Sequence, residues 1–254
     1  MKNNTSISQR LHVSLGNLIA SKKPGEKLPS EPELAKQLGV SRATLREAMR
    51  TFDTQGIIRR RQGAGTYVIH PAYVIESGLE VLESIETMAQ RIGLMVSMGE
   101  LAVEIRSATP EESAALGVVS MARVMQIIRV IHAEDRPVAY LIDILPADVL
   151  SPEELTEKFT GSVLDLLLQR GAPSLMSSRC EINVDTASHD VARALEIQRG
   201  DGLLRFKSYL YTPDGGVVDY STSYFLPGYF RFHVIRRVGE LNNSGNRVET
   251  RPAE

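Results

Sequence analysis

Residues 30–68 constrain the fold of this chain more than any other segment. Ser30 and Glu33 have the spacing of a capping box, which starts a helix. Gly39 can take the left-handed conformation that ends a helix, and Ser41 can cap the next one. The segment is therefore predicted to begin with two short helices joined by a tight turn.

The second of these helices, over residues 41–54, has an apolar side and a basic side. Its apolar residues recur at helical spacing and must face a core. The opposite side points outward and holds Arg42, Thr44, Arg46 and Arg50. In a helix-turn-helix, the second helix enters the major groove of DNA by its N-terminal end. Arginine there can bind a phosphate or pair with a guanine edge, so these four residues are predicted DNA contacts.

A glycine-rich hairpin is predicted immediately after this helix. Two strand-like runs, residues 57–61 and 66–69, flank a tip with the sequence QGAG. Glycine lets the backbone approach DNA closely, which suits a wing beside a helix-turn-helix. The plain alternative is a solvated helix pair with a surface hairpin. The coincidence of capping box, turn glycine, basic helix and basic hairpin favours DNA binding.

Residues 5–70 resemble the winged helix-turn-helix domain of the GntR family of bacterial transcriptional regulators. The segment with the resemblance reads LPSEPELAKQLGVSRATLREAMRTFDTQGIIRRRQGAGTYV. The resemblance implies contacts with operator DNA from Arg42, Thr44, Arg46 and the wing glycine Gly65. Many family members have a lysine at the wing tip, whereas this chain has Ala64, which lacks the charge for that phosphate contact.

Charge is divided unequally between the two parts of the chain. Residues 1–70 hold 12 Lys and Arg against 5 Asp and Glu, a net charge of +7. Residues 71–254 hold 17 against 26, a net charge of −9. A basic head on an acidic body indicates that only the head binds a polyanion.

Several other classes of protein are not expected from this sequence. No apolar run approaches the roughly 20 residues of a membrane span, and the N-terminus has no signal-peptide core, so a cytoplasmic protein without a membrane partner is predicted. The single cysteine, Cys180, cannot form an internal disulfide. The histidines are scattered, and no nucleotide-binding or nucleophile motif occurs. No metal, cofactor or catalytic residue is therefore predicted.

After a linker at residues 71–79, an α+β body is predicted over residues 80–238, followed by a polar tail at 239–254. Runs of β-branched and aromatic residues between turn signals predict strands at 101–105, 123–133, 137–145, 175–184, 203–211, 217–225 and 230–236. A helix is also predicted over residues 76–91. It either relays motion between the domains or packs as the first helix of the body.

The body, over residues 80–236, is similar to the ligand-sensing UTRA domain of the HutC-type branch of the GntR family. The segment ARVMQIIRVIHAEDRPVAYLIDILP shows the similarity most clearly. The resemblance implies a chorismate-lyase-like antiparallel sheet with helices, and an effector pocket between the sheet and the helix after the central hairpin. The residues implied or suggested at that pocket are Arg129, Asp143, Ser162, Asp219 and Tyr224.

Each pocket candidate also has a plain structural interpretation. Arg129 in an apolar strand needs a buried partner, and Asp143 is a natural one. Ser162 fits a helix N-cap, while Asp219 and Tyr224 fit ordinary strand positions. Relatives that bind sugar phosphates usually have a Ser-Ser-Arg-like loop before the first strand, where this chain reads SMG at residues 97–99. An effector less charged than a phosphosugar is therefore expected.

The sequence thus predicts a homodimeric regulator, of the repressor type, that binds double-stranded operator DNA. Its operator affinity is expected to change when a small-molecule effector binds the body. Two alternatives stay open. The body resembles a lyase fold and could be an enzyme, although a fold does not determine an activity. The protein could also be an architectural DNA binder without a ligand.

Overall fold

The structure is a computed structural model that describes residues 7–236, except residues 55, 62, 70–73, 156–158 and 160. An N-terminal domain of helices and a hairpin precedes a C-terminal domain built on a six-stranded sheet. The predicted α+β class is confirmed. The predicted tail, residues 239–254, lies outside the described residues.

The N-terminal domain has the two predicted helices and the predicted hairpin, preceded by a further helix. They are α1 (Ile7–Ala20), α2 (Glu31–Leu38), α3 (Arg42–Thr54), β1 (Ile58–Arg61) and β2 (Gly65–Val68). The Glu33 carboxylate accepts the backbone N–H of Ser30 at 2.9 Å, which fixes the start of α2. Gly39 ends α2 with a φ of 65°. Leu45, Met49 and other apolar residues of the three helices and the hairpin close a single buried core.

The C-terminal domain contains α4 (Ile85–Arg91), α5 (Pro110–Leu116), α6 (Val163–Arg170), α7 (His189–Ala194) and a short 3-10 helix, Pro152–Leu155. Its strands are β3 (Ile75–Gly78), β4 (Val96–Ser107), β5 (Arg123–Ala133), β6 (Arg136–Pro146), β7 (Ser177–Thr186), β8 (Gly202–Tyr211), β9 (Val217–Phe225) and β10 (Phe230–His233). The main sheet is antiparallel throughout, in the order β4-β5-β6-β9-β8-β7.

Helices cover both faces of this sheet. On one face, Val163 and Leu167 of α6 share a buried cluster with Met125 of β5. On the other face, Leu116 of α5 shares a cluster with Val124 of β5. Successive strand residues point to opposite faces, so α6 and α5 lie on opposite sides of β5. The sheet is therefore the middle layer of the domain.

The prediction of a helix over residues 76–91 is wrong in its first half. Residues 75–78 form β3, which pairs in parallel with β10, and the helix begins only at Ile85. Ile75 and Ser77 are buried in this pairing, whereas Glu76 between them is exposed. A strand thus occupies four of the nine residues of the predicted linker 71–79, and residues 71–73 lie outside the described part.

Ion pairs join the two domains at the turn between β5 and β6. Arg136 donates through Nη1 to Asp53 Oδ1 at 2.6 Å, linking the turn to the end of α3. Arg59 of β1 donates through Nη1 to Glu134 Oε2, also at 2.6 Å. Arg59 is buried, so this second pair is shielded from bulk water. The β5–β6 turn is therefore a contact between the domains.

Gly56 brings the backbones of the two domains together at the same place. It has a φ of 64°. A Cβ added there would lie 2.9 Å from the Gly228 carbonyl carbon and 3.1 Å from the Tyr229 ring. Both the left-handed backbone and the close approach require glycine.

We expect Gly56→Ala to cost more stability than Gly39→Ala. Both residues have nearly the same φ, 64° and 65°, so the backbone strain of about 1–2 kcal/mol is matched. Only Gly56 has atoms within contact distance of the new methyl group. Overpacking should lower the free energy of unfolding by a further ~1–3 kcal/mol. Urea denaturation measures both losses, and equal losses would contradict the packing at Gly56.

Candidate functional site

The N-terminal half of α3 presents an exposed basic surface. Arg42, Thr44 and Arg46 are all exposed. The Arg46 side chain is 63% exposed, although its Nε donates to Glu31 Oε2 of α2 at 2.6 Å. This ion pair orients the guanidinium without burying it, so the group can still bind another partner.

The first turn of α3 is fixed by its own cap. The Thr44 N–H donates to Ser41 Oγ at 3.1 Å, and the two hydroxyl oxygens lie 2.8 Å apart. Because the helix begins at a defined residue, the exposed side chains of its first turns have a defined spacing. The predicted contact residues therefore share one rigid surface.

A basic group from outside the hairpin, which is not among the predicted DNA contacts, lies against the hairpin. Gly65 has a φ of 114°, and a Cβ added there would lie 2.5 Å from Lys27 Cε. Lys27 is exposed, and its Nζ lies 6.0 Å from the centre of the Tyr67 ring. Its segment forms a β-bridge with Tyr67, which places it on the hairpin. A positive charge thus lies close to the tip, where Ala64 provides none.

Two arginines of the hairpin serve the structure instead of the exposed surface. Arg59 pairs with Glu134 across the domain boundary, as described above. Arg60 donates through Nη2 to the carbonyl oxygen of Arg46 at 3.1 Å, which ties β1 to α3. The basic run in the sequence therefore overstates the charge that this strand presents to a partner.

Arg50 faces the C-terminal domain as well as the solvent. Its Nη2 lies 3.4 Å from Asp201 Oδ1, in the loop before β8, and donates to Glu47 Oε1 at 2.9 Å. The side chains of Arg50 and Asp201 are 30% and 9% exposed. An acidic group of the body thus lies next to a basic group of α3.

Three pocket candidates lie together on the face of the sheet that α6 covers. In the strand register, Asp143 of β6 lies opposite Ile127 of β5 and Ser221 of β9. Arg129 is two residues from Ile127, and Asp219 is two residues from Ser221. The side chains of Arg129, Asp143 and Asp219 therefore point to the same face of the sheet. All three are buried. Arg129 donates through Nη2 to Asp143 Oδ2 at 2.6 Å, and the structural pairing expected for Arg129 is therefore present.

The polar group is deeply desolvated. Burial raises the pKa of the Asp219 carboxyl well above its ordinary value, and the neighbouring charge of Asp143 raises it further, against the effect of Arg129. The Arg129 guanidinium carbon also lies 5.6 Å from the centre of the Phe159 ring. The cation is therefore held between a carboxylate and an aromatic face.

Ser162 and Tyr224 differ in their relation to this group. Ser162 is buried, and its Oγ accepts the N–H of Asp165 at 3.0 Å, so it caps α6, the helix that covers this face. Tyr224 directly precedes Phe225 on β9 and pairs with Tyr140, which places it on the opposite face of the sheet from Arg129. The structure therefore brings three of the five predicted pocket residues together, places Ser162 at the start of the covering helix, and leaves Tyr224 apart.

A cavity of about 400 Å³ opens between α4 and α6. It is lined by Glu86, Thr87, Gln90, Asp165, Leu168 and Gln169. Burial raises the pKa of Glu86, and the charge of Arg129 acts in the opposite direction. Glu86 thus connects the cavity with the buried group on the sheet. Glu86 is not among the predicted site residues, because the sequence pattern predicts a longer helix over residues 76–91 there.

Residues 92–231 match the profile of the UTRA domain, and residues 8–68 match that of the bacterial regulatory proteins of the gntR family. The HTH-type transcriptional regulator Rv0792c of Mycobacterium tuberculosis is 30% identical over 214 residues, which cover 83% of this chain and 77% of that protein. The chain belongs to the GntR family. This GntR protein is a DNA-binding transcriptional regulator with a small-molecule-responsive UTRA domain.

Other relatives of this GntR regulator agree in organisation. The HTH-type transcriptional repressor NagR of Bacillus subtilis is 28% identical over 86% of this chain and 88% of its own length. The histidine utilization repressor of Pseudomonas aeruginosa is 29% identical over 71% of each chain. The crystal structure of PhnF from Mycobacterium smegmatis has a TM-score of 0.62 at 22% identity, over 89% of this chain and 99% of that one. At this level of identity, the similarity to PhnF supports the fold alone.

In the part of the chain that the structure describes, no helix is both long and apolar enough to cross a membrane. Among the same residues, no group of three or more His, Cys, Asp and Glu side chains is arranged to hold a metal ion.

We expect Asp201→Asn to strengthen binding of this GntR regulator to DNA of any sequence. The change removes the carboxylate that competes with phosphate for Arg50, a pair worth up to about 1 kcal/mol when partly exposed. Fluorescence anisotropy with a random-sequence duplex, over a range of salt concentrations, should show tighter binding and a steeper salt dependence.

Asp148→Asn is the matched control for this change. Asp148 is exposed and follows the far end of β6, about 35 Å along the strand from the turn that touches the N-terminal domain. The Asp148→Asn substitution therefore removes the same charge at a position remote from Arg50. Equal effects of the two variants would mean that only the net charge matters.

Proposed function

We propose that this protein is a homodimeric repressor in which α3 reads operator DNA and the cavity beside α6 binds the effector. The observation that supports this most directly is the exposed basic start of α3, joined by ion pairs to a domain with a buried polar group beside a cavity. One surface suits DNA and the other suits a small molecule.

In the DNA complex, the N-terminal half of α3 lies in the major groove. Arg42, Thr44 and Arg46 have the exposure and spacing to contact base edges and phosphates. Arg50, released from Asp201, contacts the phosphate backbone. At the hairpin, the main chain of Gly65 and the side chain of Lys27 approach the sugar-phosphate backbone of the DNA. Lys27 supplies the positive charge that Ala64 lacks.

The effector binds in the cavity next to Arg129, Asp143, Asp219 and Ser162. Two features support this place. The cavity is large enough for a small metabolite. The buried Arg129–Asp143 pair also lies on the sheet face that α6 covers, so a ligand entering beside α6 meets polar groups in a dry environment. Tyr224, on the opposite face, has no part in this site.

β5 connects the cavity with the DNA-binding domain. Arg129 and Glu134 are five residues apart on one strand and its turn, about 17 Å. Glu134 and Arg136 pair with Arg59 and Asp53 of the N-terminal domain. A ligand that favours one position of β5 thereby favours one position of the DNA-binding domain, which is a coupling between two sites.

The C-terminal domain acts as a binding domain and not as an enzyme. The named relatives are transcriptional regulators. The strongest rival to the sensor is an architectural DNA binder without a ligand. The buried polar group beside a cavity favours the sensor, because polar atoms buried without a partner among the described residues are costly unless a ligand satisfies them.

The dimer contact lies on β7. This strand is an edge of the main sheet, and its residues Ile182 and Val184 are 46% and 80% exposed on the same face. An exposed apolar edge strand readily pairs with another chain. Two copies joined there present two α3 helices, which suits the paired half-sites of helix-turn-helix operators.

The DNA-binding role predicts a specific loss in Arg46→Ala. Operator affinity should fall by roughly 1–3 kcal/mol, because one arginine contact is lost. The operator can be selected from random duplexes with the full chain, and anisotropy then measures affinity and salt dependence. Arg91→Ala is the control, because its side chain is 55% exposed and lies on α4. An Arg46→Ala protein with unchanged affinity and unchanged salt dependence would refute the assignment.

The dimer contact predicts that Val184→Glu yields monomers. A buried carboxylate at an apolar contact is strongly unfavourable, so the two copies should separate at micromolar concentration. Light scattering coupled to size exclusion measures the mass of the particle. Val119→Glu is the control, because Val119 is 78% exposed and lies outside the strands. If Val184→Glu remains a dimer, the contact lies elsewhere.

A further inference from the structure

Three buried side chains at the cavity or on the sheet face that α6 covers have polar atoms without a hydrogen-bond partner among the described residues. The atoms are Arg129 Nε and Nη1, Asp219 Oδ1 and Glu86 Oε1. In native structures such groups are rare, and each one calls for an explanation. Glu86 lines the cavity itself, whereas Arg129 and Asp219 lie on the sheet face that α6 covers. Unused donors and acceptors at and behind one cavity are the complement of a ligand with both kinds of group.

The position of Glu86 is set by Gly161. A Cβ added to Gly161 would lie 2.8 Å from Glu86 Oε1, and the residue has a φ of 114°. The glycine therefore allows the carboxylate to approach the start of α6 closely. Glu86 also lines the cavity and lies within range of the charges of Arg129, Asp143 and Asp165. It faces both the cavity and the polar group on the sheet.

Carboxyl groups outnumber cations at this cavity. Of the described residues that line it, Glu86 and Asp165 are acidic and none is basic, while Arg129, Asp143 and Asp219 lie on the sheet face that α6 covers. Arg129 is already paired with Asp143. A phosphate group would meet more negative than positive charge here, which disfavours it. A protonated nitrogen would meet carboxyl groups whose burial makes a charged partner valuable.

We propose that the effector is a small organic ampholyte, with a protonated nitrogen bound by Glu86 and a carboxylate or carbonyl oxygen bound by Arg129. This inference rests on the proposed function of the cavity as the effector site. Glu86 is then the residue that selects for positive charge, and Asp219 accepts a further N–H from the same nitrogen or from its neighbour. Arg129 keeps its bond to Asp143 and uses its free N–H groups for the ligand.

The experiment measures binding of a matched set of probes to the full chain by isothermal titration calorimetry. 4-Aminobutyrate, 5-aminopentanoate and 6-aminohexanoate present both charges at increasing separation. Butylamine and butyrate present one charge each, and glucose 6-phosphate presents a phosphate. We expect at least one amino acid of the series to bind more tightly than either single-charge probe and more tightly than glucose 6-phosphate.

Glu86→Gln should weaken binding of that amino acid roughly 10- to 100-fold, because a hydrogen bond to a charged group is lost. Glu86→Asp, which keeps the charge, should restore part of the affinity. Glu104→Gln is the control. It removes the same charge from an exposed residue on β4, on the face of the sheet opposite to Arg129, and should leave the affinity for the amino acid unchanged. Thermal denaturation of each variant verifies that it is folded.

Three results would overturn the inference in different ways. If glucose 6-phosphate binds more tightly than every amino acid, and Arg129→Gln abolishes that binding, the cavity is an effector site but the ampholyte class is wrong. If no probe binds, both the class and the effector site in this cavity are rejected. Amino acid binding that Glu86→Gln leaves unchanged would reject the selecting role of Glu86.

Discussion

The β5–β6 hairpin is the element on which the rest of the structure depends. Near its middle, the buried pair Arg129–Asp143 joins the two strands at a distance of 2.6 Å. At its turn, Glu134 and Arg136 pair with the DNA-binding domain. A buried pair is tolerated only while both partners stay in place, because an unpaired charge there costs several kcal/mol. The two strands are therefore held in register, and in the proposed function this hairpin is the path by which an effector in the cavity acts on the turn.

The unequal charge of the two domains is reflected in the side chains that meet at their boundary. The basic head is attracted to the acidic body, and the domain boundary contains arginine–carboxylate pairs such as Arg59–Glu134 and Arg50–Asp201. The same acidic body repels DNA, so only the head is available to a duplex. Arg50 takes part in both the domain boundary and the proposed DNA complex, since it faces Asp201 in this structure and a phosphate in that complex. The body and the DNA thus compete for one side chain of α3.

Local signals predicted most of the fold, whereas contacts between distant segments set the rest. The cap at Ser30, the turn at Gly39 and the hairpins at β5–β6 and β8–β9 depend on neighbouring residues, and the structure has all of them. The parallel pairing of β3 with β10 joins segments about 150 residues apart, which no local pattern reveals. The buried Arg129–Asp143 pair followed from their residue types. Tyr224 could have been placed correctly, because it is an odd number of residues from Asp219 and strand side chains alternate between faces.

The unpaired groups at the cavity relate stability to regulation. Buried polar atoms without partners destabilise the free protein, by about 1–3 kcal/mol for a typical group. A ligand that supplies the missing partners removes this cost, and only its differential affinity for two arrangements can shift the equilibrium between them. Coupling free energies of 1–3 kcal/mol are typical of allosteric proteins. A partly exposed ion pair at the domain boundary, such as Arg50–Asp201, contributes on the order of 1 kcal/mol or less. The coupling free energy that the proposed effector needs is of the same order as one such pair, so a shift of the DNA-binding domain is compatible with two intact cores.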